Sequence, residues 1–231
     1  MTAEQMYTKA KKSLDEGGYD EAIKLYESLE SHYPYGRYAQ QAQLEIAYAY
    51  YKQNDADSAI SAADRFIKQN PNHPHVDYAY YVKGLANFVP DIGLFGYSFG
   101  QDPTERDPKS AQQSFDAFKD LVIRYPDSKY APDARVRMQY LLDALAKYDI
   151  HVASYYLRRK AYIAAANRAK EVLTTYPNTP ATQDALKIMV QAYDKMGMNQ
   201  LRDDAKRVLD KNFPQAPAPA PEPDRFENPD Q

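Results

Sequence analysis

Small and apolar residues recur along this chain at spacings of three, four and three positions, and each set ends five residues before a proline. The first set is Tyr19, Ala22, Tyr26 and Leu29, which precedes Pro34. Because 3.6 residues make one helical turn, these positions lie on one helix face. The same offsets give Ala56, Ala59, Ala63 and Phe66; Ala111, Ser114, Phe118 and Leu121; Tyr162, Ala165, Ala169 and Val172; and, with one extra residue, Met198, Leu201, Ala205 and Val208. The pattern predicts five helices, each with one buried face.

Each set runs into an aromatic or asparagine residue followed by proline. The pairs are Tyr33-Pro34, Asn70-Pro71, Tyr125-Pro126, Tyr176-Pro177 and Phe213-Pro214. Proline lacks an N–H and disfavours helix in the residue before it, so each pair predicts a helix end. Eight residues beyond the first four prolines stands an alanine each time: Ala42, Ala79, Ala134 and Ala185. We therefore expect a second helix after each of these four prolines, packed between neighbours on two faces.

The repeat predicts an all-α fold, a right-handed α-solenoid of five helix pairs similar to tetratricopeptide repeats. We expect one domain over residues 1–213, with units at approximately 3–36, 37–73, 74–128, 129–179 and 180–213. The third unit is stretched by an insertion from Asn87 to Ser110, which is rich in Gly, Pro and Asp. In the fourth unit no Gly or Pro occurs from His151 to Thr175, which predicts one long helix.

Composition narrows the class of protein. Residues 214–231 are rich in Pro and Ala, carry no helical pattern and are predicted to form a disordered acidic tail. Four acidic residues and one basic residue in this tail account for the net charge of −3, so the folded part is near neutral. A near-neutral surface argues against nucleic acid as a partner. The chain contains no cysteine, which excludes disulfides and cysteine-based metal sites.

No arrangement of residues predicts catalysis or a cofactor. His73 and His75 form the only close histidine pair, and the proline between them favours a loop over a metal site. The glycine-rich stretch 93–100 is not followed by Lys-Ser or Lys-Thr, so it is not a phosphate-binding loop. We therefore expect a protein that is not an enzyme and needs no metal or cofactor.

Tyrosine is the residue type that stands out, with 22 copies and no tryptophan in the chain. Many tyrosines fill the space between helices in repeat proteins, but adjacent tyrosines on one helix cannot all face inward. Solenoid surfaces of this kind bind extended peptides, and tyrosine offers a large contact area with a polar end. The candidate peptide-binding residues are Tyr35, Arg37, Tyr48 and Tyr51.

A basic run at residues 158–160 is followed by Arg168 and Lys170. A solvated helix face explains most such runs. Arg168, however, follows three alanines at 164–166, and small residues let a partner approach the helix backbone closely. Arginine can also hold a carboxylate through two parallel hydrogen bonds. Arg168 is therefore the stronger candidate for an ion pair with a partner, and Arg159 the next.

Several segments resemble the BamD family, the tetratricopeptide lipoproteins of the outer-membrane β-barrel assembly (BAM) machinery, also called ComL competence lipoproteins. The resemblance covers about residues 4–213. It rests on residues 33–36, 40–41, 46–52, 64–67, 70–74, 106–108, 145–148, 152–156 and 167–168. It implies a non-enzymatic scaffold at the periplasmic face of the outer membrane.

The resemblance also implies partners. Family members dock on the last POTRA domain of BamA through their C-terminal repeats. Their N-terminal repeats are linked to recognition of the targeting strand of unfolded outer-membrane proteins, and other BAM lipoproteins join the complex. Arg168 matches the family arginine that faces BamA, and Arg159 matches the arginine just after the tyrosine pair. Family members are anchored by a lipidated N-terminal cysteine, which this chain lacks.

Two other interpretations are open at this point. The pattern Tyr-Pro-x-Ser-x-Tyr-Ala at residues 125–131 also occurs in other periplasmic tetratricopeptide scaffolds that coordinate cell division or peptidoglycan synthesis. The insertion and the lengthened fourth unit favour the BamD-like interpretation over this one. An enzyme acting on peptidoglycan would need a catalytic group of residues, which the sequence does not show.

Overall fold

The computed structural model describes residues 1–88 and 108–214. These residues form ten α-helices and no strand, which confirms the predicted all-α, tetratricopeptide-like fold. The helices are α1 (Ala3–Asp15), α2 (Tyr19–His32), α3 (Arg37–Lys52), α4 (Ala56–Gln69), α5 (Val76–Ala86), α6 (Pro108–Arg124), α7 (Ala131–Arg158), α8 (Tyr162–Thr175), α9 (Ala181–Lys195) and α10 (Asn199–Asn212). Most of the predicted insertion, the glycine-rich stretch and the acidic tail lie outside the described residues.

The residues of the sequence repeat form the core. Four positions of the repeat are fully buried: the position eight residues after a proline, and the positions 12, 8 and 5 residues before one. The residues at these positions are Ala42, Ala79, Ala134, Ala185, Ala22, Ala59, Ser114, Ala165, Tyr26, Ala63, Phe118, Ala169, Leu29, Phe66, Leu121 and Val172, each with 0% of its surface exposed. The last helix, α10, differs, because only Ala205 of its set is buried.

Short turns join the two helices of a pair, and four of these turns place a residue in the left-handed region. The residues are Gly17, Asn54, Lys160 and Gly197, with φ between +61° and +82°. Glycine adopts this conformation freely and asparagine tolerates it, whereas a lysine there is strained. Each of the four residues lies two positions before the second helix of its pair begins, so the chain reverses at the same point in these four pairs.

The predicted long helix from His151 to Thr175 is wrong. Helix α7 ends at Arg158, residues 159–161 form a turn, and α8 begins at Tyr162. The left-handed conformation of Lys160 makes this turn without a glycine or a proline. The long helix of this pair is instead α7, with 28 residues.

Replacing Lys160 by glycine is expected to stabilise the protein by about 1 kcal/mol. The substitution removes the left-handed backbone strain, and this gain exceeds the larger entropy that glycine loses on folding. Gly197→Ala is the matched opposite change and should cost about 1 kcal/mol. A side chain at Gly197 would meet nothing within 4 Å, so that cost comes from the backbone alone. Chemical denaturation of both variants measures the effect, and a destabilised Lys160→Gly variant would contradict it.

The helices form two compact units, Met1–Tyr148 and Asp149 onward. In the first unit, α5 and α6 approach closely at Gly84, whose carbonyl oxygen accepts a hydrogen bond of 2.8 Å from Ser114 Oγ. A Cβ atom at Gly84 would lie 2.5 Å from the ring of Phe118. In the second unit, α8, α9 and α10 pack in chain order.

Leucine in place of Ala59 or Ala165 is expected to destabilise the protein by about 1–3 kcal/mol, because each alanine is fully buried and the added atoms overpack the core. Ala59 tests the first unit and Ala165 the second. Unfolding by denaturant would show the loss as a lower midpoint. Unchanged stability of both variants would mean that these helix faces pack less tightly than described.

Candidate interaction sites

Two of the predicted peptide-binding residues lie at the start of α3. Gly36, with φ +106°, turns the chain into the helix and leaves Tyr35 with 92% of its surface exposed. The guanidinium of Arg37 lies 4.7 Å from the centre of the Tyr38 ring, and its Nη2 donates a 2.9 Å hydrogen bond to the Tyr38 hydroxyl. An exposed aromatic ring and an oriented cation thus stand side by side.

The other two predicted residues, Tyr48 and Tyr51, lie in the last turns of the same helix. Their ring centres are 6.2 Å apart, and both rings pack half-buried against the core of the first unit. Arg37 and Tyr48 are eleven positions apart, which corresponds to roughly 17 Å along a helix at about 1.5 Å per residue. The structure therefore places the four residues as two pairs at opposite ends of α3.

Between these two pairs lies a polar cluster that the sequence analysis missed. Tyr7 of α1 donates a 3.2 Å hydrogen bond to Glu45 of α3, and Lys11 Nζ lies 3.5 Å from the same carboxylate. Burial, together with the negative charge of Glu45, raises the pKa of the Tyr7 hydroxyl above its ordinary value. Residues 38, 41, 45 and 48 share one face of α3, and this spacing was the available signal.

A cavity of about 600 Å³ opens beside Tyr35. Four side-chain amides in its wall form a relay of hydrogen bonds: Gln40 Nε2 donates to Asn70 Oδ1 (3.0 Å), Asn70 Nδ2 to Gln43 Oε1 (3.0 Å), and Gln43 Nε2 to Gln69 Oε1 (3.1 Å). Glu30 also lines the cavity, and Arg65 Nη2 lies 3.7 Å from its carboxylate. The sequence alone does not mark these four amides as a group.

In the second unit, Arg168 of α8 is held by two carboxylates of its own chain. Its Nη1 lies 3.4 Å from Asp149 Oδ1 on α7 and 3.3 Å from Glu171 Oε2. The Arg168 side chain is 38% exposed, whereas that of Asp149 is only 12% exposed. Burial raises the pKa of Asp149, and the charge of Arg168 opposes this shift. Arg168 is thus accessible, but it also neutralises a mostly buried carboxylate.

Arg159 lies in the exposed turn between α7 and α8, where its N–H donates a 3.0 Å hydrogen bond to the carbonyl oxygen of Tyr155. A second cavity, of about 550 Å³, opens next to this turn, and residues 160–164, Asn167 and Met196 line it. Ile163 in its wall is largely exposed. Cationic and apolar surfaces therefore meet at the start of α8.

The histidine pair packs within the fold. The His73 ring stands edge-on to buried Phe66 at 5.2 Å, and its Nδ1 accepts a 3.1 Å hydrogen bond from the N–H of His75. Over residues 1–88 and 108–214, no group of three His, Cys, Asp or Glu side chains is placed to hold a metal ion. The same residues include no helix that is both long and apolar enough to cross a membrane.

A family profile described as "YfiO: Outer membrane lipoprotein" matches residues 1–208. The chain belongs to this family. Curated relatives of the chain are named outer membrane protein assembly factor BamD. That of Neisseria meningitidis serogroup A is 45% identical over 94% of this chain and 81% of its own length. That of Vibrio cholerae is 39% identical over 90% and 86%, and that of Haemophilus influenzae 37% over 95% and 84%.

Within this member of the YfiO family, the candidate residues fall into two separate regions. Tyr35, Arg37, Tyr48 and Tyr51 all belong to the first unit, whereas Arg159 and Arg168 belong to the second. Each region combines exposed aromatic or apolar surface with an arginine. The arrangement suits binding of polypeptides at more than one place.

Proposed function

We propose that this protein is a non-enzymatic scaffold of outer-membrane protein assembly, acting at the periplasmic face of the outer membrane within the BAM machinery. Membership of the family of outer membrane lipoproteins, with relatives named as assembly factors over most of the chain, is the observation that carries this proposal. The proposed partners are BamA, other BAM lipoproteins and unfolded outer-membrane proteins. Membrane association in this proposal is through the family's lipidated N-terminal cysteine, a residue type that this chain does not contain.

In this proposal the second unit docks on the POTRA domain of BamA through Arg168, with Arg159 nearby. The guanidinium is partly exposed and already oriented by Asp149 and Glu171. An incoming carboxylate would replace Glu171, which is more than half exposed, while Asp149 keeps its contact. The apolar cavity beside α8 offers space for a side chain of the partner.

The first unit would bind the targeting strand of unfolded outer-membrane proteins. The pair Tyr35 and Arg37 would hold one part of the strand, and Tyr48 and Tyr51 another. An extended strand rises about 3.3 Å per residue, so a five- or six-residue segment spans the roughly 17 Å between the two pairs. Aromatic contacts at both ends favour strands with aromatic residues.

The scaffold role is tested by binding both partners to the full chain at once. We expect the POTRA domains of BamA and a peptide of a barrel C-terminal strand to form a ternary complex, measured by analytical ultracentrifugation with a labelled peptide. Neither partner should displace the other, because their sites lie in different units. A chain that binds no POTRA domain would contradict the proposal.

Photo-reactive probes at Tyr35, Arg37, Tyr48 and Tyr51 are expected to cross-link an aromatic-rich barrel-strand peptide, because the peptide would run along α3. Probes at Lys170 and Lys187 in the second unit are the controls. Cross-links are read by mass spectrometry of the captured peptide. Capture by the second unit alone would place the strand site elsewhere.

A further inference from the structure

The amide relay beside Tyr35 has two free ends. The Oε1 of Gln40 accepts no hydrogen bond, and the Nε2 of Gln69 donates none, within the part of the chain that the structure describes. The two inner members, Asn70 and Gln43, each use both an amide donor and an amide acceptor within the relay. Among the described residues, the relay therefore leaves one amide acceptor, on Gln40, and one amide donor, on Gln69, without a protein partner in the wall of the cavity.

An amide donor and an amide acceptor are the complement of a polypeptide main chain. A peptide unit offers one N–H and one C=O, and buried main-chain groups need partners of this kind. We propose that this cavity binds an extended, uncharged segment of an unfolded polypeptide through its main chain, with Gln40 accepting from an N–H and Gln69 donating to a C=O. This inference rests on the proposed substrate binding of the first unit and names how that site reads its ligand.

The chemistry of the cavity wall favours an uncharged occupant. Glu30 is the charged side chain among the lining residues, and Arg65 pairs with it. Among the described residues, no lysine or arginine lines the cavity to attract a carboxylate. The exposed ring of Tyr35 at the rim provides a surface on which a side chain of the bound segment can rest.

Reading the main chain has a consequence for specificity. Contacts to main-chain amides provide affinity without depending on the sequence, as in peptides that add to a sheet edge. A scaffold that meets many different unfolded proteins needs such tolerance. Selectivity for aromatic strands would then come from the tyrosine pairs rather than from this cavity.

The test uses a fluorescent ten-residue barrel-strand peptide and the same peptide with N-methyl groups on alternate residues, titrated against the full chain. Methylation removes main-chain donors while every side chain stays in place. We expect about a tenfold weaker affinity for the methylated peptide with the wild-type chain, the effect of one or two hydrogen bonds. With Gln40→Ala the unmodified peptide should also bind about tenfold more weakly, and methylation should then change little, because the acceptor for the N–H is gone. Gln69→Ala should weaken binding of the unmodified peptide by a similar factor but keep the loss on methylation, because Gln69 contacts a C=O.

Gln139→Ala, an exposed glutamine of α7, is the matched control and should bind like the wild type. Equal loss on methylation in the wild type and in Gln40→Ala would overturn this inference while leaving peptide binding intact. Absence of any peptide binding by the wild type would instead overturn the proposed substrate role of the first unit together with it. Displacement of the peptide from the wild type by a chitin oligosaccharide would assign the cavity amides to a glycan and also overturn the inference.

Discussion

Arg168→Leu is expected to weaken binding of the BamA POTRA domains at least tenfold. Removing one member of a partly desolvated charge pair typically costs about 2–5 kcal/mol, and about 1.4 kcal/mol corresponds to a factor of ten. A fully exposed arginine would cost under about 1 kcal/mol. Titration of the POTRA domains against wild type, Arg168→Leu and the neighbouring Lys170→Leu measures the difference. Equal binding by Arg168→Leu and Lys170→Leu would move the interface, with Arg159 as the next residue to replace.

The same substitution is also expected to lower stability, because it leaves the Asp149 carboxylate without its counter-charge. The sequence alone gives no reason to expect an effect on folding, whereas the contact of Arg168 with Asp149 does. Breaking a buried pair costs about 3–5 kcal/mol, and the exposure of Arg168 reduces this to about 1–2 kcal/mol.

Replacing Asp149 separates the effect of Arg168 on BamA binding from its effect on folding stability. The folded-state pKa of this carboxyl is already raised, so its charged form destabilises the fold above that pKa, and Arg168→Leu raises the pKa further. The loss in stability should therefore be present at pH 7 and shrink as the pH falls toward the ordinary pKa of aspartate, about 4. In the double variant Arg168→Leu, Asp149→Asn, stability at pH 7 should recover while BamA binding stays weak. Recovery of both would mean that Arg168 acts on binding only through the fold.

Gly84→Ala is expected to be the most damaging replacement of glycine by alanine among the described residues of the first unit. The new Cβ would lie 2.5 Å from the ring of Phe118, which is fully buried and closely surrounded. Overpacking costs about 3 kcal/mol here, and the better helix propensity of alanine returns about 1 kcal/mol, so the net loss is about 2 kcal/mol. Denaturant unfolding gives the value.

A double-mutant cycle with Phe118→Leu checks the cause of this loss. In the Phe118→Leu background the same change at Gly84 should cost much less, because the ring that it strikes is gone. An equal cost in both backgrounds would point instead to the hydrogen bond between Ser114 and the Gly84 carbonyl oxygen.

The buried face of the repeat was predictable because it depends only on spacing along the chain. The break between α7 and α8 was predictable as well, since Tyr162 occupies the same repeat position as Tyr19, where α2 begins. The prediction of one long helix was wrong because no glycine or proline marks the turn near residue 160. Lys160 adopts the left-handed conformation there, and the packing of the surrounding helices offsets its backbone strain.

The candidate sites were less accessible to sequence reasoning. The resemblance pointed to Arg168, but its contact with Asp149 joins residues 19 positions apart and depends on how α7 packs against α8. Gln40 and Asn70 lie 30 positions apart and meet only because α3 and α4 pair at one particular rotation. Hydrogen bonds between surface amides leave no periodic trace in a sequence, whereas buried alanines do.

Part of the apolar repeat face of helix α10 is exposed to solvent. Met198, Leu201 and Val208 are 43–46% exposed, although the positions equivalent to Leu201 and Val208 in the inner helices are fully buried and those equivalent to Met198 are half-buried. In a stacked-repeat protein each unit stabilises the next, so a further helix pair can be added against this face by design. A chimera that continues from residue 213 with one more helix pair would turn these three side chains into core and lengthen the cooperative array.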